Sequence, residues 1–196
     1  MTRDWLGNKT SVFSNLGARN FAVTEREKND YYATDPIAID KLFQVEKFDN
    51  NIWECACGEG NLSERMKKYN KNVRSTDLID RNYQNELVDF LLYEGLFDGD
   101  IITNPPYKYT TEFILKALEV IKPGSKVAMF LKLQHLEGKR RYEEIYSKFP
   151  PKTVYVVSSR IQCAKNNEFK KGNGAIAFAW FVWQKGYIGP TYLKWI

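Results

Sequence analysis

Residues 51–69, Asn-Ile-Trp-Glu-Cys-Ala-Cys-Gly-Glu-Gly-Asn-Leu-Ser-Glu-Arg-Met-Lys-Lys-Tyr, pass from a short apolar run through two close glycines into an amphipathic stretch. Residues 51–55 read as a buried strand and residues 62–69 as a helix, joined by the turn at Gly58 and Gly60. Glycine there lets the backbone approach a ligand and adopt φ values that other residues avoid.

The pattern repeats outward from this unit. Residues 72–76 form a second strand ending at Asp77, and residues 100–103 a third that runs into prolines. Residues 126–131, 153–157 and 176–183 supply further strands. Between them lie helical spacings. Asp35 caps a helix whose first position is Pro36, with Ile37, Ile39, Leu42 and Phe43 on its apolar face. Phe113, Ile114, Ala117, Leu118 and Ile121 mark a second helix closed by Pro123-Gly124, and Tyr142, Ile145, Tyr146 and Phe149 a third stopped by Pro150-Pro151. Alternating strands and helices predict an α/β fold with a mostly parallel sheet. The long strand at 176–183 follows a polar stretch and is expected to return antiparallel. Residues 1–30, polar with scattered Trp5, Phe13 and Phe21, form an N-terminal arm, and residues 31–196 a single domain.

Composition narrows the classes. The longest apolar stretch, residues 175–183, is too short to span a bilayer, and the start Met1-Thr2-Arg3-Asp4-Trp5 lacks an apolar run. This predicts a cytoplasmic protein with no membrane partner. Cys55, Cys57 and Cys163 are too few for a disulfide framework, and their spacing is not that of a zinc knuckle, so they read as buried thiols and no metal is expected. Residues 1–107 hold 13 Lys and Arg against 18 Asp and Glu. Residues 108–196 hold 16 against 6 and no aspartate, so the excess positive charge is confined to one half. That half suits a polyanionic partner, because phosphate contacts dominate nucleic-acid affinity.

The chemistry-bearing residues follow in order. Glu54 beside the glycine turn disfavours a diphosphate and favours a ligand with a cationic end. Ser63 stands where a dinucleotide-binding turn would have its third glycine. Asp77, at a strand tip, can accept from ribose hydroxyls. Asp89 can accept from an adenine amino group, and Phe90 can lie against its ring. Asn104-Pro105-Pro106-Tyr107 is the strongest signal. The two prolines stiffen the loop and keep Asn104 out of the helical region. An aromatic amine is a poor nucleophile because its lone pair is delocalised. The Asn104 side-chain oxygen and the Pro105 carbonyl can accept its two N–H bonds and direct the lone pair at a methyl donor, so orientation and fixed dipoles do most of the catalysis. Tyr107 would stack on a base flipped from its helix.

The sequence resembles the S-adenosylmethionine-dependent amino-methyltransferases of the DNA adenine-N6 class, with the cofactor half preceding the catalytic loop as in the gamma group. Residues 30–196 carry the likeness. Residues 133–141, Leu-Gln-His-Leu-Glu-Gly-Lys-Arg-Arg, and the Trp180-Phe181-Val182-Trp183 run are similar to small phage and prophage members. The resemblance implies a Rossmann-like methyltransferase fold. It implies that Tyr32, Thr34, Glu54, Gly58, Gly60, Asp77, Asp89 and Phe90 bind S-adenosylmethionine, and that residues 104–107 act on adenine N6 in DNA. Asp35 stands where a proline commonly follows that threonine. Larger members carry a separate target-recognition domain and none is expected here, which leaves recognition to the basic loops at 135–141 and 158–174. Lys139, Arg140, Arg141 and Arg160 are the candidate phosphate contacts. The same tetrapeptide serves methylation of cytosine N4, guanine N2 in RNA and protein glutamine. A non-catalytic cofactor-binding module is the remaining alternative.

Overall fold

The computed structural model describes residues 33–159, 161, 163–164 and 176–196. The expected arm over 1–30, Tyr32, Arg160 and most of the 158–174 loop lie outside the described residues.

The sheet is built around β2 (Asn51–Glu54) and β5 (Asp100–Thr103), which pair in parallel. Successive side chains of a strand point to opposite faces, and these strands obey that rule with apolar residues on both. Ile52 and Ile102 pack with α1 (Ile37–Val45) and α2 (Asn61–Lys67). Trp53 and Ile101 face the other way, against α3 (Thr110–Val120). In β6 (Lys126–Lys132) Val127, Met129 and Leu131 join the α3 side, Ala128 and Phe130 the α1 side. Cover on both faces explains why these strands read as continuous apolar runs. Trp53 is fully buried, its indole N–H donates to Thr76 Oγ1 at 2.9 Å, and truncation to alanine is expected to cost about 3–5 kcal/mol.

The eight-stranded sheet has the order β10-β7-β9-β6-β5-β2-β3-β4, with β3 at Asn72–Asp77, β4 at Glu86–Leu87, β7 at Thr153–Val156, β9 at Phe178–Gln184 and β10 at Tyr192–Trp195. Every pairing is parallel except those of β9, which runs antiparallel between β6 and β7. The α/β fold and its antiparallel return strand are therefore as the sequence predicts. A separate two-stranded ribbon pairs β1 (Ala33–Thr34) with β8 (Cys163–Ala164). At the head of α1 the Asp35 carboxylate accepts the Ile37 N–H at 3.0 Å, as its capping position implies.

The third helix differs from expectation. The segment begins as a short turn, α4 (Lys139–Arg141), and widens into a π turn over Tyr142–Tyr146, where the Ser147 N–H donates to the Tyr142 carbonyl at 2.9 Å. The extra residue in that turn rotates the apolar stripe out of register. Ile145 is buried, whereas Tyr142 is 63% and Phe149 49% exposed. No helix among the described residues is long and apolar enough to cross a membrane.

Candidate active site

From β2 the chain moves to β3 on one side, while β5 lies on the other side of β2 and leads on to β6. The C-terminal ends of β2 and β5 therefore flank the topological switch point, where open α/β sheets bind ligands. Glu54 ends β2 and Thr103 ends β5, so the glycine turn and the proline loop emerge side by side.

The turn is held by Asp77. The Gly58 N–H, at φ 56°, donates to Asp77 Oδ2 at 2.8 Å, and the Ile79 N–H donates to Oδ1 at 3.0 Å. Gly60 is required by its φ of 85°, and any Cβ there would also have to displace the Tyr83 ring. Glu54 is buried and accepts a hydrogen bond from the Ser63 hydroxyl, and Ser63 Oγ lies 2.6 Å from Ser75 Oγ. Desolvation pushes the Glu54 carboxyl up to about 8, opposed by the Ser63 hydrogen bonds and reinforced by the Asp77 charge. Ser63, conspicuous in the sequence only as a missing glycine, is thus the residue that fixes Glu54.

The Val88 N–H bonds the Asp77 carbonyl at 3.0 Å, which sets Asp89 just past the tip of β3. Its exposed carboxylate accepts the Leu91 N–H at 3.0 Å. The Phe90 ring is enclosed, 5.1 Å from the Trp53 ring and 5.1 Å from the Phe113 ring. Its first partners are therefore core aromatics, which the sequence pattern did not reveal.

At the proline loop the Asn104 amide is used unequally. Nδ2 donates to Thr34 Oγ1 at 2.8 Å, whereas Oδ1 is buried without a hydrogen-bond partner among the described residues. An unsatisfied buried acceptor costs about 1–3 kcal/mol, so the fold holds in place an oxygen that calls for an N–H donor. Thr34 thus contacts the proline loop. Cys163 Sγ lies 3.9 Å from both Asn104 Nδ2 and Thr34 Oγ1, a neighbour 59 residues from Asn104 that no local pattern could reveal. Lys132 sets its ammonium 4.2 Å from the Tyr107 ring centroid, occupying one ring face.

Beside Tyr107 lie two adjoining cavities of about 310 and 190 Å³ that share Tyr107, Thr110, His135 and Arg141. Lys139, Arg140 and Arg141 all line the larger one. Their engagements differ. Lys139 has an 89% exposed side chain, 3.8 Å from Glu143. Arg140 meets Glu144 at 2.8 Å and Glu112 at 3.5 Å. Arg141 donates to the backbone carbonyls of Glu137 and Gln134. The Tyr146 hydroxyl donates to the His135 carbonyl at 2.7 Å, which leaves His135 Nδ1–H as donor to the Tyr146 hydroxyl oxygen, also at 2.7 Å. Burial, helped by the Arg141 charge, lowers the His135 imidazole to about 4, so it is neutral at pH 7.

The structure thus brings Glu54, held by Ser63, and Gly58, held by Asp77, to the same glycine turn as Gly60, with Asp89 and Phe90 beyond it. Tyr107 lines the Lys139–Arg141 cleft, and Thr34 joins Asn104. No protein-family model matches the sequence, and no curated protein matches it. Solved structures do resemble it. A Listeria monocytogenes protein described as a class I S-adenosylmethionine-dependent methyltransferase superposes with a TM-score of 0.59 at 14% identity, over 95% of this chain and 71% of that one. An Agrobacterium tumefaciens protein described as a predicted O-methyltransferase gives 0.56 at 14% identity, over 82% and 84%. TrmN from Thermus thermophilus gives 0.55 at 16% identity, over 76% of this chain and 48% of that one, so the likeness spans about half of TrmN. At these identities the likeness establishes the fold, a Rossmann-like methyltransferase fold.

Proposed function

We propose that this chain transfers a methyl group from S-adenosylmethionine to the exocyclic N6 amino group of adenine in DNA. The observation that carries this reading is the buried Asn104 Oδ1, without a hydrogen-bond partner among the described residues, at the switch point of a methyltransferase fold. An N–H donor of the substrate is what that atom lacks.

The residues around the glycine turn fit the cofactor. Asp77 and Asp89 offer carboxylate acceptors and Glu54 a buried carboxyl that a neighbouring ammonium would ionise, a set that suits ammonium and hydroxyl groups rather than phosphate. Glu54 and the Gly58–Gly60 backbone would face the amino-acid end, Asp77 the ribose, and Asp89 the adenine, while Phe90 stays in the core against Trp53 and Phe113. When bound, S-adenosylmethionine supplies an electrophilic methyl group on a sulfonium. Asn104 Oδ1 and the Pro105 carbonyl accept the two N–H bonds of the target amine, which localises its lone pair. Pro105 and Pro106 hold both acceptors in place before the substrate arrives, so little reorganisation remains at the moment of transfer. Tyr107 lies beside the cleft through which a flipped base would enter, and Lys139, Arg140 and Arg141 at that cleft suit the phosphates.

Adenine in DNA is favoured over protein glutamine by the cationic lining of the cleft, which a glutamine side chain does not need. The deciding experiment supplies the wild-type protein and labelled cofactor with DNA, RNA and total protein in turn, then digests each and identifies the methylated product by mass spectrometry. N6-methyldeoxyadenosine is the expected product. N4-methyldeoxycytidine, a methylated guanine from RNA or methylglutamine would each replace adenine as the target.

A further inference from the structure

The Asn104 amide has two ends of nearly equal size, and only one orientation is useful. With Oδ1 toward the substrate it accepts an N–H; turned by half a rotation it would present Nδ2, a donor facing a donor. Packing cannot distinguish the two, so hydrogen bonding must. The nearby partners that could do so are Thr34 Oγ1, 2.8 Å from Nδ2, and Cys163 Sγ, 3.9 Å from Nδ2.

These two residues are placed by the β1–β8 ribbon. Thr34 and Cys163 are directly opposed in its antiparallel register, 129 residues apart in the chain. Thr34 is 3% exposed. A threonine hydroxyl has one proton and two lone pairs, so its role depends on where the proton goes. Cys163 Sγ, 3.9 Å from Thr34 Oγ1, is a weak acceptor for it. With the hydroxyl hydrogen directed at sulfur, the Thr34 lone pairs face Asn104 and can receive only an N–H. Burial pushes the Cys163 thiol up to about 11, against the hydroxyls of Tyr107 and Thr34, so sulfur keeps its own proton and no charge is introduced beside the amide.

We propose that Thr34, backed by Cys163, is a positioning residue: its hydroxyl accepts Asn104 Nδ2–H and so presents Oδ1 to the target amine. The inference rests on the proposed reaction for its kinetic consequence, but not for its structural one. It replaces the cofactor-binding role that the resemblance implies for Thr34.

Thr34→Val removes the hydroxyl at nearly constant shape, and Thr34→Ser restores it. The expected result is a kcat lowered about ten- to thirtyfold in Thr34→Val, with substrate KM and S-adenosylmethionine affinity within twofold of wild type, and recovery to within threefold in Thr34→Ser. A cofactor affinity lost at unchanged kcat would overturn the proposal and return Thr34 to the cofactor. The second readout needs no activity. The side-chain ¹⁵NH₂ resonance of Asn104, identified by its absence in Asn104→Ala, should show slow hydrogen exchange in the wild type and fast exchange in Thr34→Val. Fast exchange already in the wild type would overturn the proposal even if the valine variant does not fold. A protein with a protected amide but no methylated DNA would sink the proposed substrate while leaving the amide clamp intact.

Discussion

Replacing Asp77 by alanine removes two side-chain acceptors of backbone N–H groups and one charge at the tip of β3. The structure gives that carboxylate two partners, the Gly58 N–H at 2.8 Å and the Ile79 N–H at 3.0 Å. Hydrogen bonds to an ionised group contribute about 1.5–3 kcal/mol each, but this site is only part-buried and water can replace some of the loss. A net cost of about 1–3 kcal/mol follows for the cofactor-free protein. In a chain of this size each kcal/mol lowers Tm by about 2–4 °C, so a fall of about 2–12 °C is expected by calorimetry. The same carboxylate is assigned the ribose hydroxyls, so S-adenosylmethionine should bind about 5- to 150-fold more weakly by titration calorimetry, corresponding to about 1–3 kcal/mol. Asp77→Asn sharpens the test. Its amide keeps one acceptor and turns a donor toward the other N–H, so its Tm should fall about as far as that of the alanine variant. An unchanged Tm in both variants would refute the claim that Asp77 holds the turn. A lowered Tm with full cofactor affinity would remove Asp77 from the ribose.

Glu54 predicts a pH effect of definite sign. Its folded-state carboxyl is raised to about 8, so its contribution to stability is complete below its unfolded value near 4.5 and is lost as pH rises through 8. The cofactor-free wild type should therefore lose Tm relative to Glu54→Gln between pH 5 and 8. A cationic ligand beside Glu54 should narrow the difference, and parallel Tm curves would contradict the assignment. At the cleft, replacing Lys139 and Arg140 together by alanine should weaken DNA binding regardless of sequence and reduce the slope of log affinity against log salt by up to about 2. The fall should be smaller than that to the extent that Arg140 stays with Glu112 and Glu144, and an unchanged slope would place the phosphates elsewhere.

What the sequence disclosed was the part governed by local periodicity. β2, β5 and β6 are buried on both faces and long enough to announce themselves, and Gly58 and Gly60 mark a turn that only glycine accommodates. The short strands were silent. β4 and β8 have two residues each, too few for any period, and β10 has all four residues exposed, so it shows no alternation. Tyr142 and Phe149 fell on a helical stripe in the sequence, yet a π turn moved them to the surface. At the site, Asp77 and Asn104 were recognisable because their chemistry is stated by position after a strand. Phe90 could not be assigned to the core beforehand, since its contacts with Trp53 and Phe113 come from distant elements. Nor could Thr34 be linked to Asn104, 70 residues away, because only the folded ribbon brings them together.

The central claim is that Asn104 Oδ1 holds the target amine, and single-turnover kinetics of Asn104→Ala test it most directly. That oxygen has no partner among the described residues, so the free protein loses chiefly the Nδ2–Thr34 hydrogen bond, about 1 kcal/mol, and should keep its Tm within a few degrees and its S-adenosylmethionine affinity within twofold. Loss of one preorganised group acting at the reacting atoms typically costs about 10²–10³ in rate, and the account predicts a fall of at least that size in methyl transfer to adenine. Transfer by the alanine variant at a rate within threefold of wild type, with cofactor affinity intact, would contradict it.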